Sequence, residues 1–228
     1  MGQTGNQGEK TVRERVEQMQ QMTLADFTRE LSENAPVPGG GGAAALCGAL
    51  AAALSSMVAS LTVGKKKYEA VREDMDALIQ DAGRLREEFL SLIDEDAEAF
   101  KPLAAAYRLP HGTEEEKAAR RNEMEQALRR AAESPLRILK KTREAMALVR
   151  EAAGKGSVIA VSDAGCAAAI LEAAARCAAL NVTVNTRLME DQETAGDLER
   201  RSQEILSECQ AESESIYLSV SSFLQRNQ

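Results

Sequence analysis

The chain has 228 residues, 36 of them acidic and 28 basic, for a net charge of −8, and only 3% are aromatic, with no tryptophan. That length suits one domain with a sizeable core, and a core so poor in rings has to be filled by alanine and short aliphatics, as packed helices allow and strands disfavour. The acidic balance, with basic residues spread along helical faces and not gathered in an aromatic-interleaved tract, excludes general nucleic-acid binding.

In chain order, residues 1–10, "MGQTGNQGEK", offer no apolar face and no secretory signal, so they are expected as a disordered tail before a single all-helical domain over 11–228. Residues 11–34 carry apolar side chains at spacings of three and four, predicting a helix that ends before the Ala-Pro and Val-Pro steps. A second helix is predicted over 43–63, with no charge until a lysine cluster. Its Ala, Gly and Ser content argues for a helix buried on all sides and against a membrane span. A third covers about 68–107. "TEEE" then places Thr113 as N-cap with Glu116 three residues on, a capping box opening a fourth helix that Ser134-Pro135 should kink or divide. Residues 154–165 read as a loop of small residues, followed by helices over about 166–189 and 197–223. The expected architecture is an all-α up-and-down bundle with long, Ala-rich central helices.

Four cysteines, Cys47, Cys166, Cys177 and Cys209, form no C-x-x-C pair, and His111 is the one histidine, so no metal set is expected. The thiols should be reduced and buried, in a cytoplasmic setting.

Three constellations could carry chemistry. "NAPVPGGGGAAAL" lacks the lysine and preceding strand of a phosphate loop, and Pro36 and Pro38 make it a poor flexible linker. It is either backbone able to lie against a ligand at a helix N-terminus or a tight connection that lets helices pack. In "FLSLIDEDAEAFKPL", Asp96 stands on a stripe with Phe89, Leu92, Ile93, Phe100 and Leu103, while Asp94, Glu95 and Glu98 fall toward solvent. A carboxyl group there loses hydration, and its pKa rises toward the range useful for general acid or base work. The plainer alternative is a buried aspartate tied to a helix end or a lysine. Finally, Asn181 and Asn185 share a stripe with Ile170, Cys177 and Leu188, as site groups or as partners across a dimer, and Ser162 and Asp163 open their helix as N-caps or as site groups. "GKKKY" at 64–68 is either a solvated helix start or an attractor for an anionic tail.

"FTRELSENAPVPGGGGAAALCGALAAALSSMVASLTVGKKKY", "LIDEDAEAF", "YRLP" and "SDAGCAAA…ALNVTVN", taken together and in this order, resemble the formimidoyltetrahydrofolate cyclodeaminase family, which includes methenyltetrahydrofolate cyclohydrolases. The resemblance covers about residues 22–225. It implies an all-helical homodimer acting on a tetrahydrofolate derivative, with no metal and no other cofactor. The formimidoyltransferase domain fused to it in animal enzymes is not among these residues, so the stand-alone form is expected. The implied catalytic aspartate is Asp96, with Asp94 as fallback and Asp163 assisting. Gly39, Gly40, Gly41, Lys65, Lys66, Ser162, Asn181 and Asn185 become candidates for holding folate. Ser157 stands where family members often have asparagine. The implied reaction is cyclising deamination of 5-formimidoyltetrahydrofolate to the 5,10-methenyl form and ammonia. The alternatives are methenyltetrahydrofolate cyclohydrolase activity and a non-catalytic folate-binding or dimerising scaffold.

Overall fold

A computed structural model describes residues 19–226. Among them are six α-helices and no strand: α1 (Leu24–Leu31), α2 (Gly40–Ser60), α3 (Arg72–Ala106), α4 (Glu114–Lys155), α5 (Val161–Thr186) and α6 (Gln192–Arg226). Short 3-10 turns at Met19–Gln21, Lys66–Val71 and Val158–Ala160 complete the path. The expected tail at 1–10 lies outside the described residues.

Local chemistry sets the boundaries. Thr23 caps α1 by accepting from the Asp26 N–H at 3.1 Å, so the helix expected over 11–34 begins only at Leu24 within the described part. The predicted capping box is present: Thr113 Oγ1 accepts from Glu116 N at 3.1 Å, and Glu116 Oε2 accepts from Thr113 N at 3.0 Å. The expected break at Ser134-Pro135 does not occur, and Pro135 sits buried inside a continuous α4. The carbonyl that this proline leaves unbonded is filled from α5, as described below. The expected loop over 154–165 is also mostly helical, since α5 starts at Val161, just after a 3-10 turn.

Helices α2 and α5 run antiparallel. Gly40 lies beside Asn181, while Val58, near the other end of α2, meets Gly156 just ahead of α5. Both helices are rich in buried alanines, Ala44, Ala45, Ala51 and Ala52 on α2 and Ala167, Ala168 and Ala175 on α5. Small side chains set a short interaxial distance. At Gly48 the approach is closer still, because a Cβ there would overlap the buried ring of Phe89 on α3.

The expectation that α2 is covered on all sides does not hold. Leu50, Met57 and Leu61 are exposed, as are Leu180 and Val184 on α5. Both helices are long and apolar enough to cross a membrane, yet 56% and 50% of their most apolar stretches are buried within the bundle. One face packs inward and an apolar face is left over. The cysteines differ from expectation as well: Cys209 is buried, Cys47 partly so, and Cys166 and Cys177 are exposed.

Gly48→Ala should reduce the unfolding free energy by about 1–3 kcal/mol, the usual cost of overpacking a filled core. Chemical denaturation reads this directly, and an unchanged midpoint would refute the close approach of α2 to Phe89.

Candidate functional site

The N-terminal turn of α2, the middle of α4 and the last turns of α3 and α5 meet at one end of the bundle. Asp96 on α3 points at this junction. A Cβ on Gly41 would overlap the Asp96 carboxyl group, and one on Gly40 would lie 2.9 Å from Asn181 Nδ2. The glycine run is therefore a place where backbone approaches two polar side chains, not a linker. Gly39 is the N-cap of α2, in extended geometry and without a side-chain capping bond.

Asp96 Oδ1 accepts from Ser134 Oγ at 3.1 Å, and the Gly42 backbone N–H lies on the side of the carboxyl where it favours the charged form. Burial pushes the Asp96 pKa above the ordinary carboxylate value, against the opposing pull of the Ser134 hydroxyl and the Gly42 N–H. Both readings of this residue thus apply, since it is tied to a helix end and its charged form is still disfavoured.

Asn181 donates Nδ2 to the Cys177 carbonyl at 2.8 Å. Asn185 donates Nδ2 to the Asn181 carbonyl at 2.8 Å and, across the interface, to the Ala131 carbonyl on α4 at 3.1 Å. With both amide nitrogens committed to backbone acceptors, the two side-chain oxygens are left to accept. Their stripe follows the rim of α5 and not its core face, for Cys177 and Leu188 are exposed.

Asp94 is not part of this junction. Its Oδ1 accepts from the Gln20 N–H at 3.3 Å, tying the first 3-10 turn to α3, and burial raises its pKa. Glu95 is paired with Arg137 and Glu98 with Lys101.

Lys65, Lys66, Ser162 and Asp163 lie at the opposite end of α2 and α5. Helix α2 has 21 residues, so roughly 30 Å of helix separates the two ends. There Lys65 Nζ donates to Ser157 Oγ at 3.0 Å, the Ser157 N–H donates to Thr62 Oγ1 at 2.7 Å, and the Val158 N–H donates to Tyr68 Oη at 3.1 Å. Ser162 is exposed and Asp163 partly so, and neither caps α5, whose N-cap is Ala160 without a side-chain bond. Within one chain, Asp163 cannot assist Asp96. Among the described residues, no group of three or more His, Cys, Asp or Glu side chains is arranged to hold a metal ion.

Sequence reasoning missed Ser134, which touches Asp96 from a helix 38 positions away. Its one signal was the proline beside it.

With this geometry in view, the likeness to known proteins has a structural meaning. The profile of the formiminotransferase-cyclodeaminase family matches residues 23–204, a stretch that contains every element of the junction. The chain belongs to this family. A methenyltetrahydrofolate cyclohydrolase from Methylorubrum extorquens is 42% identical over 88% of this chain and 96% of its own length. A formimidoyltransferase-cyclodeaminase from Rattus norvegicus is 34% identical over 74% of this chain, and the match spans 31% of that longer relative. The crystal structure of a formiminotetrahydrofolate cyclodeaminase from Thermotoga maritima superposes with a TM-score of 0.76 at 28% identity, covering 90% of this chain and 96% of that one. The all-helical bundle is thus a family architecture, and the relatives are named as enzymes of folate one-carbon chemistry.

A carboxyl group whose folded pKa is raised contributes stability at low pH and loses it as pH rises through that pKa, because its charged form is poorly hydrated in the fold. Asp96→Asn should therefore unfold at an equal or higher temperature than the native chain at pH 7. Any gain should fade as pH falls toward the ordinary aspartate value of 3.8. A clear loss of stability at pH 7 would mean that the ionised carboxylate is favoured in the fold.

Proposed function

We propose that this enzyme hydrolyses 5,10-methenyltetrahydrofolate to 10-formyltetrahydrofolate, with cyclising deamination of 5-formimidoyltetrahydrofolate as the second reading. The observation that supports chemistry at all is Asp96, a carboxyl group held against the glycine turn with its pKa raised. The order of the two readings rests on the 42% likeness to a cyclohydrolase along nearly the full length of both chains. The cyclodeaminase reading is supported by the relatives at 34% and 28%.

Both reactions pass through one carbon bridging N5 and N10 of the folate. In hydrolysis, water adds to the cationic methenyl carbon while the Asp96 carboxylate takes a proton from it. The carboxyl group then returns that proton to N5 as the bond from N5 to carbon breaks, and the hydroxyl proton leaves as the formyl carbonyl forms on N10. In deamination, the same group takes the N10 proton as N10 adds to the carbon of the protonated formimidoyl group, then returns it to the amino group of the adduct, whose bond to carbon breaks to release ammonia and the methenyl cation. A positioned acid or base of this kind typically contributes about 10²- to 10⁴-fold. The oxygens of Asn181 and Asn185 suit the N–H donors of a pterin ring, and Gly39, Gly40 and Gly41 let the backbone turn at which Asp96 and Asn181 sit stay free of side chains of its own. A cavity of about 230 Å³ next to Leu188 is lined by the basic Lys117, Arg120 and Arg121 and the acidic Glu125 and Glu190, with His111 beside them, and its cations are the groups proposed to pair with the glutamate carboxylates. No further cofactor and no metal enter the proposal, and its setting is cytoplasmic.

The proposal includes a homodimer. Leu50 and Met57 on α2 and Leu180 and Val184 on α5 are left exposed, and a second copy packed across a two-fold axis covers the same face on both chains. If the axis crosses the middle of these antiparallel helices, the Lys65, Lys66, Ser162 and Asp163 end of one subunit comes beside the Asp96 end of the other. This arrangement gives those four residues access to the folate, with Asp163 steadying the cation.

Purified protein offered each substrate separately decides between the reactions. Decay of methenyl absorbance above the uncatalysed rate supports hydrolysis, whereas its growth with ammonia release from the formimidoyl compound supports deamination. Asp96→Asn should lower kcat by about 10²- to 10⁴-fold in the reaction observed, and full activity would remove Asp96 from the mechanism. Mixing inactive Asp96→Asn and Asp163→Asn subunits should restore about a quarter of native activity, as half the random dimers carry one intact shared site. No recovery after verified exchange would place each site within one chain.

A further inference from the structure

We infer that Pro135 is a positioning residue, which leaves the Ala131 carbonyl open so that it can orient Asn185. In an uninterrupted helix the N–H of residue 135 bonds the carbonyl of residue 131, and proline has no N–H to give. An interior proline ordinarily weakens or kinks a helix, yet α4 runs on from Glu114 to Lys155. The vacated acceptor is used by the side chain of another helix, as Asn185 Nδ2 reaches the Ala131 carbonyl at 3.1 Å.

The second hydrogen of that amide goes to the Asn181 carbonyl at 2.8 Å. Two fixed acceptors hold the NH2 group, so the rotamer is locked and Oδ1 faces away from both. Next to the proline, Ser134 bonds Asp96 Oδ1 at 3.1 Å. One dipeptide on α4 therefore sets a carboxyl group on α3 and an amide on α5, the two side chains that the proposed folate chemistry requires to be in register. The functional consequence rests on that proposal, while the geometric claim stands on its own.

Pro135→Ala restores an N–H that competes with Asn185 for the Ala131 carbonyl. The variant should fold with an equal or higher melting temperature, while KM for the folate substrate rises about fivefold and kcat falls less, the scale of one hydrogen bond. Asn185→Ala should raise KM similarly, and the double variant should add little to either. KM factors that multiply in the double variant, or a Pro135→Ala protein that loses stability at unchanged KM, would overturn the inference. The side-chain amide signals of Asn185 in 15N spectra give a readout independent of turnover. They should shift and exchange faster with solvent in Pro135→Ala, and unchanged signals would refute the inference even if the substrate assignment failed.

Discussion

The arrangement depends on one close approach, that of the N-terminal turn of α2 to the carboxyl group of Asp96. Space for it exists because positions 40 and 41 carry no Cβ, since either one would crowd Asn181 or Asp96. The same absence of side chains leaves free backbone N–H groups at a helix end, where partial positive charge favours an anion. Burial acts in the other direction, and for Asp96 it is the larger effect. A carboxyl group balanced in this way is held by a hydrogen bond from Ser134 while burial disfavours its charged form.

Holding that balance requires the rest of the bundle. Gly40 of α2 lies beside Asn181 of α5, and on the side of α2 that meets α3 the ring of Phe89 fills the notch left at Gly48. On the outer side of α2 and α5, Leu50, Met57, Leu180 and Val184 are exposed, and this is the face that the proposed dimer covers. In the proposed dimer the packing that builds one half of the site also presents the other half to the neighbouring subunit.

Much of this was legible in the sequence. Helical periodicity and the scarcity of rings predict the bundle, Thr113 and Glu116 mark the start of α4, and Asp96 stands out because its stripe neighbours Phe89, Leu92, Ile93 and Leu103 are apolar, all four of which the structure buries. Distance along the chain is a poor guide to the rest. Lys65 and Lys66 follow the glycines by a short stretch of chain, but that stretch is the rigid helix α2, which carries them to the far end of the same subunit. Ser162 and Asp163, which the sequence leaves open as N-caps or as site groups, lie inside the first turn of α5, because the helix begins at Val161 with Ala160 as its N-cap. Pro135 was read from its local cost alone, whereas its effect depends on Asn185, fifty residues on, and no local pattern contains that pairing. Asp94 and Asp96, two residues apart, have different roles because successive side chains on a helix point in directions about 100° apart, one toward the first 3-10 turn and the other toward α2.

The most direct test is titration of the Asp96 carboxyl carbon by 13C NMR in the native chain, assigned by comparison with Asp96→Asn. The account predicts a midpoint clearly above the ordinary value of 3.8, moving higher still in Ser134→Ala, where a hydrogen bond to the charged form is lost. A midpoint at or below the ordinary value would contradict it, for the group would then be a plain helix-end anion with little capacity to carry a proton at neutral pH.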